Sequence, residues 1–383
     1  MSERVRIFDT TLRDGEQSAG VCFSARDKVE IATQLESMRV DVIEAGFPGA
    51  SLGERDAVAE VAKTVRDSRV CGLARAVRAD IEAAGAALHE AAAPRIHVFV
   101  NASDVQLSNQ LRKSRKDVVA MAEAAVRRAR DFCDDVEFSP MDATRADLDF
   151  VVEIAGRALA AGARTINLPD TVGVARPGQV AALVVAVRER APGAAEAVIS
   201  FHGQDDLGLA TANALAAVEA GARQIEVAVN GIGERAGNTS FEEVVMALRI
   251  HGADLGVHTS VEPRGICALS RLVEERSGIA VPPNKAVVGR NAFRHASGIH
   301  QDGVLKWRGT YESLDPETIG RESGSEIVLG KLSGRAGFRA RVEALGIELE
   351  GERLERAFAC FQSVADGRRE VCDDDLRGIC AGL

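Results

Sequence analysis

Short apolar runs recur along the chain, and each gives way to a polar loop and then to a stretch of helical period. The runs cover residues 5–8, 40–45, 70–73, 96–100, 136–139, 165–168, 197–201 and 224–229. Their length and content of Val, Ile and Phe predict β-strands, and the Ala-rich segments between them predict helices. Segment 24–38 is the clearest helix. Ser24 followed by Asp27 is a capping arrangement, and Val29, Ala32, Leu35 and Met38 fall on one face. Ala161-Gly162-Ala163-Arg164 is echoed by Ala220-Gly221-Ala222-Arg223, each placed to stop a helix in a left-handed turn before the next strand.

Eight alternating strand and helix units predict the α/β class and a closed (β/α)8 TIM barrel. An open doubly wound sheet is the alternative, but no G-x-G-x-x-G follows the first strand. The period changes after about residue 275. Residues 1–275 are therefore expected to form the barrel, and 276–383 a linker and a small, mainly helical C-terminal subdomain. Pro282-Pro283-Asn284-Lys285 reads as a loop, 335–345 and 351–365 as helices, and Asp373-Asp374-Asp375 as a helix start.

Composition narrows the function. Of 383 residues, 46% are hydrophobic and only 4% aromatic, enough for a large core filled by small aliphatic side chains. The net charge of −10 is interspersed, which argues against a nucleic-acid surface while leaving room for a local Arg to bind an anionic substrate. The seven cysteines are odd in number and lack a C-x-x-C, so free thiols are expected. No signal-peptide pattern opens the chain and no apolar run nears the roughly 18 residues of a membrane span, so a cytoplasmic protein without membrane partners is expected.

Three polar segments begin where apolar runs end: 8–17 (Phe-Asp-Thr-Thr-Leu-Arg-Asp-Gly-Glu-Gln), 200–206 (Ser-Phe-His-Gly-Gln-Asp-Asp) and 230–238 (Asn-Gly-Ile-Gly-Glu-Arg-Ala-Gly-Asn). A barrel keeps its chemistry at such strand ends. Asp14 can hold a divalent cation, and Arg13 beside it can polarise a carbonyl or clamp a carboxylate. His202 and Gln204, two apart, share a strand face and can reach one ion, to which Asn238 can add an amide oxygen. Such donors suit Mg2+, Mn2+ or Zn2+.

With these segments, the chain resembles the 2-isopropylmalate synthase and homocitrate synthase family of DRE-type metal-dependent barrels, most closely the isopropylmalate synthases. Further matching motifs are Gly46-Phe47-Pro48, Leu111-Arg112-Lys113-Ser114-Arg115, Pro169-Asp170-Thr171-Val172-Gly173 and Ser297-Gly298-Ile299-His300-Gln301-Asp302-Gly303. The resemblance implies an acyltransferase of amino-acid biosynthesis that joins acetyl-CoA to a 2-oxo acid and releases CoA. It implies a divalent metal on Asp14, His202, Gln204 and Asn238, and an oxo-acid pocket formed by Arg13, His97, Ser139 and Thr171. It implies catalytic roles for Arg13, Glu234, His300 and Tyr311, and a homodimer with shared sites. The chain is not expected to carry the leucine-regulatory domain of some relatives.

Two departures from the family pattern stand out. His-x-His-Asn-Asp is here His202-Gly203-Gln204-Asp205-Asp206, and Phe-Ser-Pro-Glu-Asp-Ala is here Phe138-Ser139-Pro140-Met141-Asp142-Ala143. Gln204 is a weaker donor than imidazole toward transition-type metals, which shifts preference toward Mg2+. Met141 cannot accept a proton, so Asp142 or Asp205 is a candidate to take over a lost role. These changes open alternatives: a related lyase, a decarboxylative condensing enzyme, or a catalytically impaired homologue that still binds its ligands.

Overall fold

The computed structural model describes residues 2–382. Eight parallel strands close into a barrel in chain order. They are β1 (Arg6–Asp9), β2 (Val42–Gly46), β3 (Arg69–Arg75), β4 (Pro94–Asn101), β5 (Val136–Met141), β6 (Thr165–Asp170), β7 (Val198–Gly203) and β8 (Gln224–Val227). The barrel shuts where β1 lies beside β8, with Arg6 opposite Gln224 and Asp9 opposite Val227. Every apolar run picked out in the sequence became one of these strands, and they close into a barrel rather than forming an open doubly wound sheet.

Helices follow the strands: α1 (Ala25–Ser37), α2 (Leu52–Thr64), α3 (Arg78–Ala87), α4 (Arg115–Arg130), α5 (Leu148–Ala161), α6 (Pro177–Arg190), α7 (Ala210–Glu219) and α8 (Phe241–Leu255). The capping box at Ser24 and Asp27 forms at the start of α1. The face of α1 differs from the expected one: Lys28 and Ile31 are buried with Ala32, Leu35 and Met38, while Val29 is only half-buried. An ion-pair network accounts for the buried lysine. Lys28 Nζ donates to the Leu12 and Ala45 carbonyls and lies 2.7 Å from both Glu16 and Glu54. Gly162 and Gly221 take φ of +113° and +105° at the two predicted helix stops. A side chain there would strain the turn.

The chain divides into two compact units, one through Ala280 and the other from Val281. Helix α9 (Ile266–Ser277) crosses residue 275 and belongs to the first unit. The second unit contains α10 (Gly298–Lys306), α11 (Arg335–Ala344), α12 (Gly351–Ala365) and α13 (Asp373–Ala381). Its core includes three phenylalanines packed with Leu329, Val342, Leu349 and Leu376: Phe338 lies 5.0 Å from Phe361 and 5.7 Å from Phe358 between ring centroids. The acidic run at 373–375 starts α13, where carboxylates favour the positive end of the helix dipole. All seven cysteines are free. No helix among the described residues is long and apolar enough to cross a membrane.

Candidate active site

The barrel interior is polar. Strand alternation turns Arg95 and His97 of β4 inward, with Glu137 and Ser139 of β5, Asn167 of β6, Ser200 and His202 of β7, Gln224 and Glu226 of β8, and Glu44 of β2; all are buried. Above this floor, at the C-terminal ends of the strands, lies a cavity of about 230 Å³. It is lined by Arg13, Asp14, His97, Ser139, Met141, Thr171, His202, Gln204 and Glu234 among others.

Arg13 is held by carboxylates. Its Nε donates to Glu44 at 2.6 Å and its NH1 to Asp14 at 2.8 Å, while Glu226 lies 4.0 Å from its NH2. Asp14 accepts the Glu234 backbone N–H at 3.2 Å and the Gln204 amide at 3.3 Å, and its Oδ2 is 3.6 Å from His202 Nε2. His202 Nδ1 is 2.8 Å from Glu226. That contact fixes the ring and leaves Nε2 facing Asp14. His97 bridges Glu44 at 2.8 Å and the Ser139 hydroxyl at 2.7 Å, and Asn167 donates to that same hydroxyl. Thr171 Oγ1 accepts the Asp142 backbone N–H at 2.9 Å, which leaves its own proton free to donate.

Burial alone would raise the Asp14 carboxyl, but the Arg13 and His202 charges outweigh it and hold it at about 2. Glu44 is likewise kept at about 2 against burial, by Arg13 and His97. His97 and His202 are both raised despite burial, each by its carboxylate partner. The cluster is an interlocked set of charges rather than a collection of independent groups.

The site passes a test of fit to a cation. Asp14 is an ionised oxygen donor, and the amide oxygens of Gln204 and Asn238 are buried with no partner among the described residues. A buried acceptor without a donor costs free energy, and a cation removes that cost. Gln204 and Asn238 are also brought side by side by an isolated antiparallel bridge. Gly233 permits the packing, since a Cβ there would fall 2.3 Å from the Asn238 amide nitrogen. His97, Glu137 and Glu226 also offer ligand atoms within 4.8 Å of one another. Glu137 is committed to Arg95 and Gln224, and His97 to Glu44 and Ser139, so this trio forms the barrel floor.

Neither aspartate proposed as a substitute faces the cavity. Asp142 is fully buried at φ +66°, with its carboxylate on Ser103 and in a double contact with Arg145. Asp205 caps α7 by accepting the Ala210 N–H at 2.9 Å. Met141 alone of that pair of strand-end residues lines the pocket. His300 and Tyr311 belong to the second unit, where their rings stack with centroids 3.9 Å apart.

Sequence reading missed Glu44, Glu226 and Asn167. A signal was present: each is a polar residue inside an apolar strand run, and a charge in such a run needs a partner. Only closure of the barrel shows that the partners are Arg13 and His202.

A family model described as HMGL-like matches residues 4–273, and one described as homocitrate synthase post-HMGL domain-like matches 287–369. The 2-isopropylmalate synthase of Nitrosococcus oceani is 52% identical over 380 residues, covering 99% of this chain and 74% of the relative. The chain belongs to the 2-isopropylmalate synthase family. The member from Syntrophus aciditrophicus is 50% identical over 377 residues, 98% of this chain and 73% of its own. Among solved structures, hydroxymethylglutaryl-CoA lyase from Pseudomonas aeruginosa matches with a TM-score of 0.61 at 23% identity, over 73% of this chain and 95% of that one. The lyase from Brucella melitensis gives 0.59 at 24%, over 72% and 100%. Those likenesses establish the shared barrel, whereas the synthase identity extends through the second unit.

Proposed function

We propose that this chain condenses acetyl-CoA with a branched 2-oxo acid of the 2-oxoisovalerate type and releases CoA. Identity of 50–52% to 2-isopropylmalate synthases along nearly the whole chain supports the condensing reaction over the alternatives. The observation that carries the siting is the convergence of Arg13, Asp14, His202 and Gln204 in one buried strand-end cluster.

In this reading Asp14, His202, Gln204 and Asn238 hold one divalent cation. When bound, it supplies Lewis-acid polarisation of the substrate carbonyl. The oxygen-rich donor set favours Mg2+ or Mn2+ over Zn2+. Arg13 points its guanidinium at the ketone oxygen and neutralises charge developing there. Its orientation is set by Glu44, so it acts without reorganising. The Thr171 hydroxyl donates to the substrate carboxylate, and His97 with Ser139 borders the oxo-acid side chain. Glu234 takes a methyl proton from the thioester, since Met141 cannot. The resulting carbon nucleophile attacks the ketone carbon, the former ketone oxygen gains a proton, and water cleaves the thioester. His300 and Tyr311 of the second unit serve the same proton transfers, in a homodimer with shared sites.

The test is CoA release with acetyl-CoA and a panel of 2-oxo acids, with Mg2+, Mn2+ and Zn2+ supplied separately. Release that requires both substrates and peaks with 2-oxoisovalerate is expected. Turnover with a hydroxyacyl or malonyl thioester alone would replace the reading with a lyase or decarboxylative one.

A further inference from the structure

The barrel has a second cavity at its other end, and its chemistry is unlike that of the first. It is an open depression of about 1140 Å³ below the N-terminal ends of β1, β3, β4, β6 and β7. Arg6, Arg69 and Arg164 line it together with Thr165. Three acidic residues also line it, two of them engaged with arginines. Asp135 serves Arg95 and Arg69, Asp134 pairs with Arg130, and Glu196 lies at the wall.

Two polar groups in this cavity lack partners among the described residues. The Thr165 hydroxyl is buried without a hydrogen bond, in a residue only 1% exposed. Arg6 has no carboxylate at ion-pairing distance. Of the two carboxylates that act on its charge, Asp41 is taken by Arg4, and Asp135 sits between Arg69 and Arg95. Three guanidiniums, of Arg6, Arg69 and Arg95, thus crowd the base of the barrel around Asp135. Arg6 is lowered from its ordinary value by burial and by the Arg95 and Arg69 charges. Arg69 Nε approaches Asp135 at 2.8 Å as an ion pair but without hydrogen-bond geometry, so it too can turn to another acceptor.

We propose that this cavity is a binding site for a small anion carrying at least two negative charges, held by Arg6, Arg69, Arg164 and the Thr165 hydroxyl. Charge-assisted hydrogen bonds from guanidinium to a carboxylate or phosphate satisfy the unpaired donors, and the hydroxyl supplies a directional contact. The site also has a route to the chemistry. Arg6 starts the four-residue strand β1, whose other end carries Asp9 and leads into Arg13 and Asp14. A ligand at the base therefore grips the strand from which the opposite pocket is built.

The experiment is calorimetric titration of the metal-free full chain with inorganic phosphate and, separately, glutarate, at ionic strength matched with sodium chloride. Saturable binding of one of them is expected, and which one distinguishes a phosphate from a dicarboxylate ligand. Arg6→Gln should weaken it by about tenfold or more and Thr165→Val by about threefold, as befits loss of a charged and a neutral hydrogen bond. Arg13→Gln, at the other end of the barrel, should leave it unchanged. Circular dichroism establishes that each variant is folded, and Arg164→Gln serves if Arg6→Gln is not. Binding abolished by Arg13→Gln and indifferent to the base variants would overturn the proposal. So would the absence of any saturable heat with both probes.

Discussion

His202 and Glu226 are locked together, with Nδ1 of the ring 2.8 Å from a carboxylate that is itself fully buried in the next strand. The carboxylate decides which ring nitrogen carries the proton and so which one is left to bind a cation. Glu226→Gln keeps the shape but loses the charge. Divalent-metal affinity should fall by roughly 10- to 100-fold, read by calorimetry with Mn2+. An unchanged affinity would mean that His202 is not a ligand.

Gln204 stands where the family pattern has histidine, and its amide oxygen is buried without a partner. Gln204→His should raise affinity for Zn2+ relative to Mg2+, because imidazole is the softer donor. Competition titrations of the two metals against both proteins check the direction. A shift toward Mg2+ would remove Gln204 from the donor set.

Glu234 and Asp142 are separable as candidate proton acceptors. Asp142 is spent on Ser103 and Arg145. Asp142→Asn should lower stability while leaving kcat within about threefold, whereas Glu234→Gln should lower kcat by about 10²–10⁴-fold, the usual contribution of a general base. Steady-state CoA release with saturating substrates makes the comparison. The reverse order would move the base to the strand-end loop of β5.

Burial pushes Asp9 up to about 7, against the pull of its two hydrogen bonds from Thr11. Its folded form therefore keeps a proton that the unfolded chain releases near its ordinary value of 3.8. Stability contributed by this group is full below that value, falls as pH rises toward 7, and is lost above it, at roughly 1.4 kcal/mol per unit. Asp9→Asn should abolish this slope. Urea unfolding of both proteins at several pH values tests it, and parallel curves would show that Asp9 ionises normally.

Lys28 ties the loop carrying Arg13 and Asp14 to β2 through two carbonyls and two glutamates. Lys28→Met strands those acceptors and should cost about 3–5 kcal/mol, the range for breaking a buried ion pair from one side. A thermal or urea midpoint shift of that size, with lowered kcat in the folded fraction, is expected. A fully stable variant would mean that water replaces the ammonium.

Sequence alone determined the barrel, because β-branched runs alternating with amphipathic helices leave few ways to bury both. It also gave the positions of Asp14, His202 and Gln204, since polar residues at the ends of apolar runs fall on one rim of such a barrel. The buried lysine of α1 was invisible to periodicity, for its cost is met by partners distant in sequence, Glu54 among them. Closure of the strands decided the rest. It set Glu44 against Arg13 and Glu226 against His202, and it turned Asp142 away from the pocket onto Ser103 and Arg145 while Met141 stayed in it. A carboxylate's direction at a strand end depends on a single backbone torsion and on which donors lie within reach, and local sequence does not encode those neighbours.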